Sequence, residues 1–324
     1  MPAAIISAVG AAIALAAGLM FPWMKVPIIV GLCYGLAALG VTVLMRAGQV
    51  SFGHAMYACV AGYTVAFLAR AFPHLDGVLL IFCGMVASLI AASVIGVFVV
   101  RYREIFFGML NLALSMVLYS VLGKFYEYTG GTDGLRLERP TFLGLTFDRG
   151  GYETALLVAA LVMSLVLGWL VQRYFGSATG EALAGIKTNE TRLEYLGLSA
   201  RYILWNGYMV SAALVGLSGA LFVLLQGLVT PELGYWVRSG EFIFIAILGG
   251  SAHALGAFMG AVVFQIIQIF GTILFAGTWK ILLGATLIVV IIVAPMGITG
   301  MLPMKTWRMP RGDKSSLRAV TERE

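Results

Sequence analysis

Residues 78–100 read VLLIFCGMVASLIAASVIGVFVV, an uninterrupted stretch of 23 residues without a charged side chain. About 20 apolar residues are enough for a helix to cross the hydrocarbon core of a bilayer. Further apolar runs lie on both sides of this one: Ala3–Phe21, Val26–Met45, Val50–Ala69, Ile105–Leu122, Tyr152–Val171, Tyr202–Val229, Phe242–Leu248, Ala254–Phe275 and Trp279–Ile298. The pattern predicts an all-α polytopic membrane protein, a compact helical bundle of about nine to ten membrane segments.

The composition agrees with a membrane protein and excludes other classes. Of the 324 residues, 60% are hydrophobic and 11% are charged. Soluble domains carry about a quarter charged residues, and disordered chains have few large apolar ones. The net charge of +6 does not indicate nucleic-acid binding, because Lys and Arg lie between apolar runs rather than on one basic face. Cys33, Cys59 and Cys83 lack metal-ligand spacing, so we expect no metal and no cofactor.

Two long polar segments and a polar tail interrupt the apolar runs. Residues 123–151 and 172–201 are predicted loops, and residues 304–324 form a tail after one transmembrane domain at 1–303. If the 172–201 loop and the tail are cytoplasmic, that side holds 13 of the 21 Lys and Arg residues. Cytoplasmic loops show this bias. We therefore predict that both termini are cytoplasmic and that residues 123–151 face the periplasm.

Glycine-containing segments break the apolar pattern at two places. SFGHA at residues 51–55 opens one run, and GSAHA at residues 250–254 lies near the other end. The run within residues 234–252 is too short to span and carries Arg238 and Glu241, which predicts a broken or re-entrant element that is buried in protein or lines a cavity. The paired segments favour an internal repeat with the pathway at its interface. A chance match of five residues is the alternative.

No motif for bond chemistry is present. The sequence contains no GxxxxGK[ST] phosphate loop, GxSxG or HExxH, and its carboxylates are scattered among loops, so we expect no catalytic residues. The spans also lack the buried charges that proton- and ion-coupled carriers use. The chain is predicted to provide a path and to depend on another protein for energy.

Residues 179–198, TGEALAGIKTNETRLEYLGL, combine polar residues with the apolar anchors Leu183, Ile186 and Leu193. The stretch resembles the cytoplasmic coupling loop of ABC importer permeases, in the branched-chain amino acid permease family. Tyr195 replaces a residue that is small in the family. The resemblance implies a short helix that inserts its anchors into a cleft on a soluble ATPase; a solvated loop helix is the alternative. The candidate coupling residues are Gly180, Glu181, Ala182, Leu183, Ile186, Lys187, Asn189, Glu190, Glu194 and Gly197.

Residues 47–55, AGQVSFGHA, resemble a second signature of the family. Ser51 can cap the helix that follows, and Gly53 permits a tight backbone path. For His54 we expect a packing role, with its ring hydrogen-bonded to a carbonyl, in preference to substrate contact. For Gln49 either role is possible on the sequence. Gln49, Ser51, Gly53 and His54 are candidates for the translocation path.

Residues 129–135, TGGTDGL, resemble the segment that distinguishes the LivM-type subunit of the family from its LivH-type partner. Glycines make tight turns, and Thr and Asp side chains bond local backbone in them. On the predicted topology the segment lies on the outer face, and a plain turn is the alternative to a docking role. The docking candidates are Gly130, Gly131, Thr132, Asp133 and Gly134.

Residues 239–261 carry a fourth resemblance to the family. Ser239 is predicted to cap a short helix, with Glu241 at its positive end. Together with Gly249 and Gly250 they complete the candidates for the path. APMGITG at residues 294–300 resembles the closing segment of the family, so the matches run in order from residue 26 to residue 302.

The resemblance implies the transmembrane subunit of an ATP-driven ABC importer in a bacterial inner membrane. The implied partners are separate ABC ATPase subunits, a second permease subunit of LivH type, a periplasmic substrate-binding protein and membrane lipid; the chain itself is not an enzyme. Branched-chain amino acids are the default cargo, and urea, short amides and aromatic acids are alternatives. The rivals from other classes are an ATP-independent channel or secondary transporter, and a scaffold subunit.

Overall fold

The computed structural model describes residues 2–142, 144–274, 278–294 and 297–301. The predicted tail at 304–324, and residues 295 and 296 of the closing segment, lie outside these ranges. Two short antiparallel strands, β1 (Leu135–Arg136) and β2 (Leu228–Val229), join the two halves of the chain. The α-helices in these ranges are α1 (Pro2–Met20), α2 (Lys25–Arg46), α3 (Ala55–Ala71), α4 (Gly77–Val99), α5 (Glu104–Lys124), α6 (Tyr126–Thr129), α7 (Arg149–Phe175), α8 (Ala178–Thr188), α9 (Glu190–Tyr195), α10 (Ala200–Gln226), α11 (Trp236–Gly249), α12 (Ala254–Leu274) and α13 (Trp279–Val293).

The helices begin where the sequence places short polar side chains. Asp76 accepts a hydrogen bond from the backbone N–H of Val78 at 2.9 Å, which starts α4. Asp148, Ser177, Asn189 and Ser199 cap α7, α8, α9 and α10 in the same way. Such side chains satisfy backbone donors that have no partner in the first turn of a helix.

Within the described ranges, six helical segments are long and apolar enough to cross a membrane: Pro22–Arg46, Gly77–Val99, Glu104–Lys124, Arg149–Phe175, Ala200–Gln226 and Ala254–Ile273. Shorter apolar helices cover Ile6–Met20, Ala55–Ala71 and Lys280–Val290. The prediction of an all-α polytopic membrane protein is confirmed. The predicted count of nine to ten membrane segments stays a prediction.

Helices α2 and α10 form the centre of the bundle. Their most apolar windows are 78% and 72% buried, whereas those of α4, α5, α7 and α12 are only 22–39% buried. Small residues let the central helices approach closely. A Cβ on Gly40 of α2 would lie 2.7 Å from the carbonyl oxygen of Ser211 in α10, and a Cβ on Gly219 would lie 2.3 Å from that of Ala58 in α3.

Helices α3 and α11 both begin inside the bundle. The turn at 47–54 leads to α3, and residues 227–235 lead to α11. The carbonyl of Gly234 accepts a hydrogen bond of 2.6 Å from Ser115, eleven residues into α5, which at 1.5 Å per residue is about 16 Å from the start of that helix. The backbone N–H of Ala55 donates to Ser239 Oγ at 2.8 Å. The two half-helices therefore meet at their N-terminal ends.

The interruptions that meet differ from the predicted pair. The start of α3 meets α11 through Ala55 and Ser239, and a Cβ on Gly234, in the stretch before α11, would lie 2.9 Å from Cys59 Cβ in α3. Residues 250–253 form the turn between α11 and α12, with Gly250 at φ +89°. The second interruption uses Gly227, at φ +64°, and Pro231. The two glycine motifs precede the starts of α3 and α12, but neither coincides with the interruption at 227–235. The internal repeat stays a prediction.

Candidate functional site

Helices α8 and α9 fold back onto the bundle. Leu183, Ile186 and Leu193 are buried within this chain. Gly207 of α10 makes room for Leu183, because a Cβ on Gly207 would lie 2.9 Å from Leu183 Cδ1. The prediction that these anchors insert into a partner is therefore wrong. An amphipathic pattern specifies an apolar face but not the surface that covers it.

The large exposed apolar residues of segment 172–201 lie at the end of α9 and just after it. Tyr195 is 88% exposed and Leu196 is 71% exposed, and Leu198 is exposed as well. Gly197, at φ +76°, turns the chain between them. We refer to Tyr195–Leu198 as the 195–198 turn. It presents apolar side chains at the end of the bundle where the sequence analysis placed a soluble partner.

Segment 172–201 rests directly on the AGQVSFGHA turn. Gly48, at φ +74°, lies under Lys187, whose Cγ would be 3.1 Å from a Cβ at that position. Arg103 binds Glu190 through two hydrogen bonds, Nη2 to Oε1 at 2.6 Å and Nε to Oε2 at 2.9 Å. Paired hydrogen bonds of this kind fix the geometry of an ion pair. The contacts join α8 and α9 to the turn after α2 and to the start of α5.

Gln49 has a structural role. Its side-chain oxygen accepts a hydrogen bond of 2.7 Å from the backbone N–H of Glu104, at the start of α5. Glu104 has φ +51° and is the only non-glycine residue with a positive φ among the described residues. Backbone strain of this kind persists only where the surrounding contacts hold it.

The other candidates of the coupling loop have identifiable contacts. Gly180 packs against α7, where a Cβ would lie 2.1 Å from the carbonyl oxygen of Tyr174. Ala182 is buried, and Asn189 caps α9 by accepting from the N–H of Arg192 at 3.0 Å. Glu194 lines an open groove of about 260 Å³ together with Arg101, Arg103, Glu190, Ser199 and Arg201, and Glu181 is exposed at the start of α8.

His54 is fully buried and packs between aromatic rings. Its ring contacts Tyr57 and Tyr208 edge-on, with centroid distances of 5.4 Å and 5.1 Å. Nδ1 lies 2.6 Å from Ser51 Oγ, so the partner of the ring is a hydroxyl and not the predicted carbonyl. Ser51 accepts from the N–H of Gly53 at 3.4 Å and gives no side-chain cap to α3, which is also a correction.

A buried polar network links α3, α5 and α10. The hydroxyls of Tyr57 and Tyr208 lie 2.7 Å apart, and Tyr208 donates to Asn111 Oδ1 at 2.6 Å. Gly53 packs on the same part of α5, where a Cβ would lie 2.0 Å from the carbonyl oxygen of Asn111. The sequence analysis missed this network, although polar residues inside apolar runs were the available signal.

Ser239 and Glu241 do not have the predicted places on α11. Ser239 accepts from the N–H of Ala55 and thereby caps α3, whereas α11 has no side-chain cap. Glu241 lies beyond the first turn of α11 and binds Arg238, with Nη1 to Oε2 at 3.1 Å. Arg238 also donates to the hydroxyl of Tyr34 in α2, and that hydroxyl donates to Glu241 at 3.4 Å. Arg238 and Tyr34 were absent from the predicted site.

Gly249 and Gly250 serve backbone packing. A Cβ on Gly249 would lie 1.9 Å from the carbonyl oxygen of Gly256, so α11 and α12 are in direct backbone contact there. Thr299 Oγ1 donates to the carbonyl of Gly249 at 2.7 Å, which attaches the closing segment. Both glycines are buried in these contacts, and their role in the translocation path stays a prediction.

The TGGTDGL segment is a turn connected to the second interruption. Gly130, Gly131 and Gly134 have φ of +70°, +51° and +72°. Tyr126 donates to Asp133 Oδ2 at 2.6 Å, and this bond to a carboxylate raises the pKa of the exposed Tyr126. Thr132 is exposed beside it. Strand β1 follows and pairs with β2, so the segment is attached to residues 227–235, which lead to α11.

Within the described part of the chain, no group of three or more His, Cys, Asp or Glu residues is placed to hold a metal ion.

The family model and the related proteins that match this chain all describe the same family. The model for "Branched-chain amino acid transport system / permease component" matches residues 24–291. The high-affinity branched-chain amino acid transport system permease protein LivM of Escherichia coli K12 is 27% identical over 254 residues, which cover 71% of this chain and 59% of LivM. The chain thus spans less than two thirds of the length of this relative.

Two further relatives match over most of their length. A probable branched-chain amino acid transport permease protein LivH of Methanocaldococcus jannaschii is 26% identical, over 82% of this chain and 88% of its own. The permease protein BraD of Pseudomonas aeruginosa is 25% identical, over 84% and 92% respectively. No solved structure matches the chain.

Proposed function

Because the chain belongs to the family of permease components of branched-chain amino acid transport systems, we propose that it is the transmembrane subunit of an ATP-driven ABC importer. A periplasmic binding protein delivers a small solute, by default a branched-chain amino acid. The bundle passes the solute to the cytoplasm, and separate ATPase subunits hydrolyse ATP. The relatives are named as permeases for branched-chain amino acids, which supports this cargo.

The observation that carries this proposal is the contact between segment 172–201 and the broken helix. Lys187 lies on Gly48, and Arg103 binds Glu190. The same turn continues through Gln49 to the start of α3. A movement of α8 and α9 therefore acts on the turn and on the start of α5 together. Packed bundles respond to such a local displacement by changing between discrete arrangements.

The 195–198 turn is the proposed docking point for the ATPase. Tyr195 and Leu196 are exposed, while the buried face of α8 is covered by this chain. Tyrosine is enriched at protein interfaces, because it supplies a large contact area and a hydroxyl. This assignment replaces the anchors that the sequence analysis named.

The remaining partners follow from the family. We propose a second permease subunit similar to LivH, a bacterial inner membrane as the location, and cytoplasmic termini. Residues 130–134 are the proposed contact for the binding protein. Their attachment to the stretch before α11, through β1 and β2, supports this role.

Affinity purification from native membranes in mild detergent, followed by mass spectrometry, tests the proposal. We expect an ATPase and a second permease to co-purify with the wild-type chain. The double variant Tyr195→Ala/Leu196→Ala should lose the ATPase and keep the second permease. Tyr128 is a 70% exposed tyrosine within the predicted periplasmic loop; Tyr128→Ala is the matched control and should keep both.

Two outcomes would contradict these assignments. A wild-type chain that brings no ATPase at all would refute the importer. An ATPase that stays at the wild-type level with the double variant would refute docking at the 195–198 turn and leave the importer intact.

A further inference from the structure

Arg238 and Glu241 form an ion pair near mid-depth in the bundle. Both contact the hydroxyl of Tyr34, which lies nine residues after Lys25 and twelve before Arg46 on the central helix α2. At 1.5 Å per residue the hydroxyl-bearing residue is about 14 Å from one end of α2 and about 18 Å from the other. The other charged residues of the described helices lie mostly at helix ends.

Stabilisation of the fold alone does not explain why two charged side chains lie at this depth in the bundle. Removing two charges from water is costly, and neutral residues of similar volume often stabilise a buried position as well as an ion pair does. Ionisable residues inside a membrane bundle are for this reason candidates for a functional site. Arg238 and Glu241 keep 26% and 14% of their side-chain surface exposed, so the pair is open to the surface of this chain.

The surroundings of the pair are apolar and aromatic. The adjoining cavity holds about 10 Å³, room for roughly one water molecule. Its wall comes from α2, α3, α10, α11 and the turn before α11, and includes Phe222, Leu233 and Phe242. The guanidinium carbon of Arg238 lies 5.7 Å from the ring centres of both Tyr34 and Phe222. Two opposite charges thus lie beside an apolar wall, next to a small cavity.

We propose that Arg238, Glu241 and Tyr34 form a binding site for a zwitterionic amino acid on its way through the bundle. The carboxylate of the solute binds Arg238, its ammonium group binds Glu241, and its side chain packs against Phe222, Leu233 and Phe242. This inference rests on the proposed function and names the class of cargo.

Charge balance favours a zwitterion over the other cargoes. Without solute the two side chains neutralise each other. A zwitterion exchanges that one pair for two new pairs, and no buried charge is left alone. A singly charged aromatic acid leaves Glu241 without a partner, and urea or a short amide offers neither charge. Leaving one charge of a buried pair unpaired is strongly destabilising.

The test is leucine uptake into proteoliposomes that contain the complete transporter, with the binding protein and ATP. In Arg238→Met/Glu241→Gln both charges are removed together, so that no unpaired charge opposes folding. We expect this variant to keep its thermal stability and the ATP hydrolysis stimulated by the binding protein, and to lose more than about tenfold in leucine uptake. Arg149→Met/Glu153→Gln removes an exposed ion pair on α7 and should leave uptake unchanged.

A second variant covers the case in which the double variant does not fold. Tyr34→Phe retains both charges and removes only the hydroxyl that they share. We expect lower leucine uptake with unchanged ATP hydrolysis. Wild-type uptake by Arg238→Met/Glu241→Gln, or by Tyr34→Phe, would overturn the site. If the wild-type transporter takes up leucine without ATP and without the binding protein, the proposed function is refuted instead.

Discussion

At the scale of single residues, Ser239 connects the two half-helices. It belongs to α11, yet its hydroxyl accepts the hydrogen bond of Ala55 at the start of α3. Ser239 is fully buried, so no water replaces the hydroxyl when it is removed. A buried donor without a partner costs about 1–3 kcal/mol.

Ser239→Ala should therefore lower the free energy of unfolding by about 1–3 kcal/mol, because Ala55 N–H loses its partner. Thermal unfolding of the purified protein in detergent measures the change. Ser93→Ala is the matched control: the Ser93 hydroxyl bonds the carbonyl of Ile90 at an exposed site, and its loss should have little effect. Equal stability of Ser239→Ala and Ser93→Ala would show that the cap is dispensable.

At Gly53 even a methyl group has no room, because the backbone of α5 packs directly against it. A Cβ there would lie 2.0 Å from the carbonyl oxygen of Asn111, and backbone cannot move aside as a side chain can. Gly53→Ala should reduce the amount of folded protein in the membrane and abolish uptake. Gly123→Ala, where a Cβ meets nothing within 4 Å, should behave as wild type. Normal folding and uptake of Gly53→Ala would contradict the close contact with α5.

At the scale of elements, the central prediction concerns the ion pair between α9 and the residue before α5. Glu190→Arg and Arg103→Glu each place like charges together at the Arg103–Glu190 contact. Each should lower uptake by about fivefold or more while ATP hydrolysis continues, because segment 172–201 is then no longer bound to the start of α5. The double variant Arg103→Glu/Glu190→Arg restores opposite charges and should recover part of the uptake. Additive losses in this double-mutant cycle would mean that the two side chains are not coupled.

The sequence predicted the elements well where local pattern decides them. The apolar runs gave the spanning helices, because the length of a run and the absence of charge are properties of neighbouring residues. The short run at Phe242–Leu248 correctly indicated a broken element, now α11. The partners of that element were missed, since Ser239 and Arg238 bind residues in α3 and α2 that are some 200 positions away. Local periodicity contains no information on such contacts.

At the scale of the whole molecule, the proposed binding site lies where the start of α11, the central tyrosine Tyr34 and the Arg238–Glu241 ion pair meet. Segment 172–201 contacts the turn at 47–54 through Lys187 and Gly48, the start of α5 through Glu190 and Arg103, and α10 through Leu183 and Gly207. Family resemblance named the segments in the right order, but it assigned Leu183, Ile186 and Leu193 to a partner surface that this chain itself covers. Which of several apolar surfaces covers a helix is a property of the assembled bundle, and for that reason it became visible only in the structure.

Uptake of labelled leucine into proteoliposomes containing this chain, its co-purified permease and ATPases, and the binding protein is the decisive test of the proposed function. We predict uptake that requires both ATP and the binding protein and that falls when Arg103 or Glu190 alone is reversed in charge. A stable, partner-free oligomer of this chain that conducts solute without ATP would contradict it and would identify the protein as a channel.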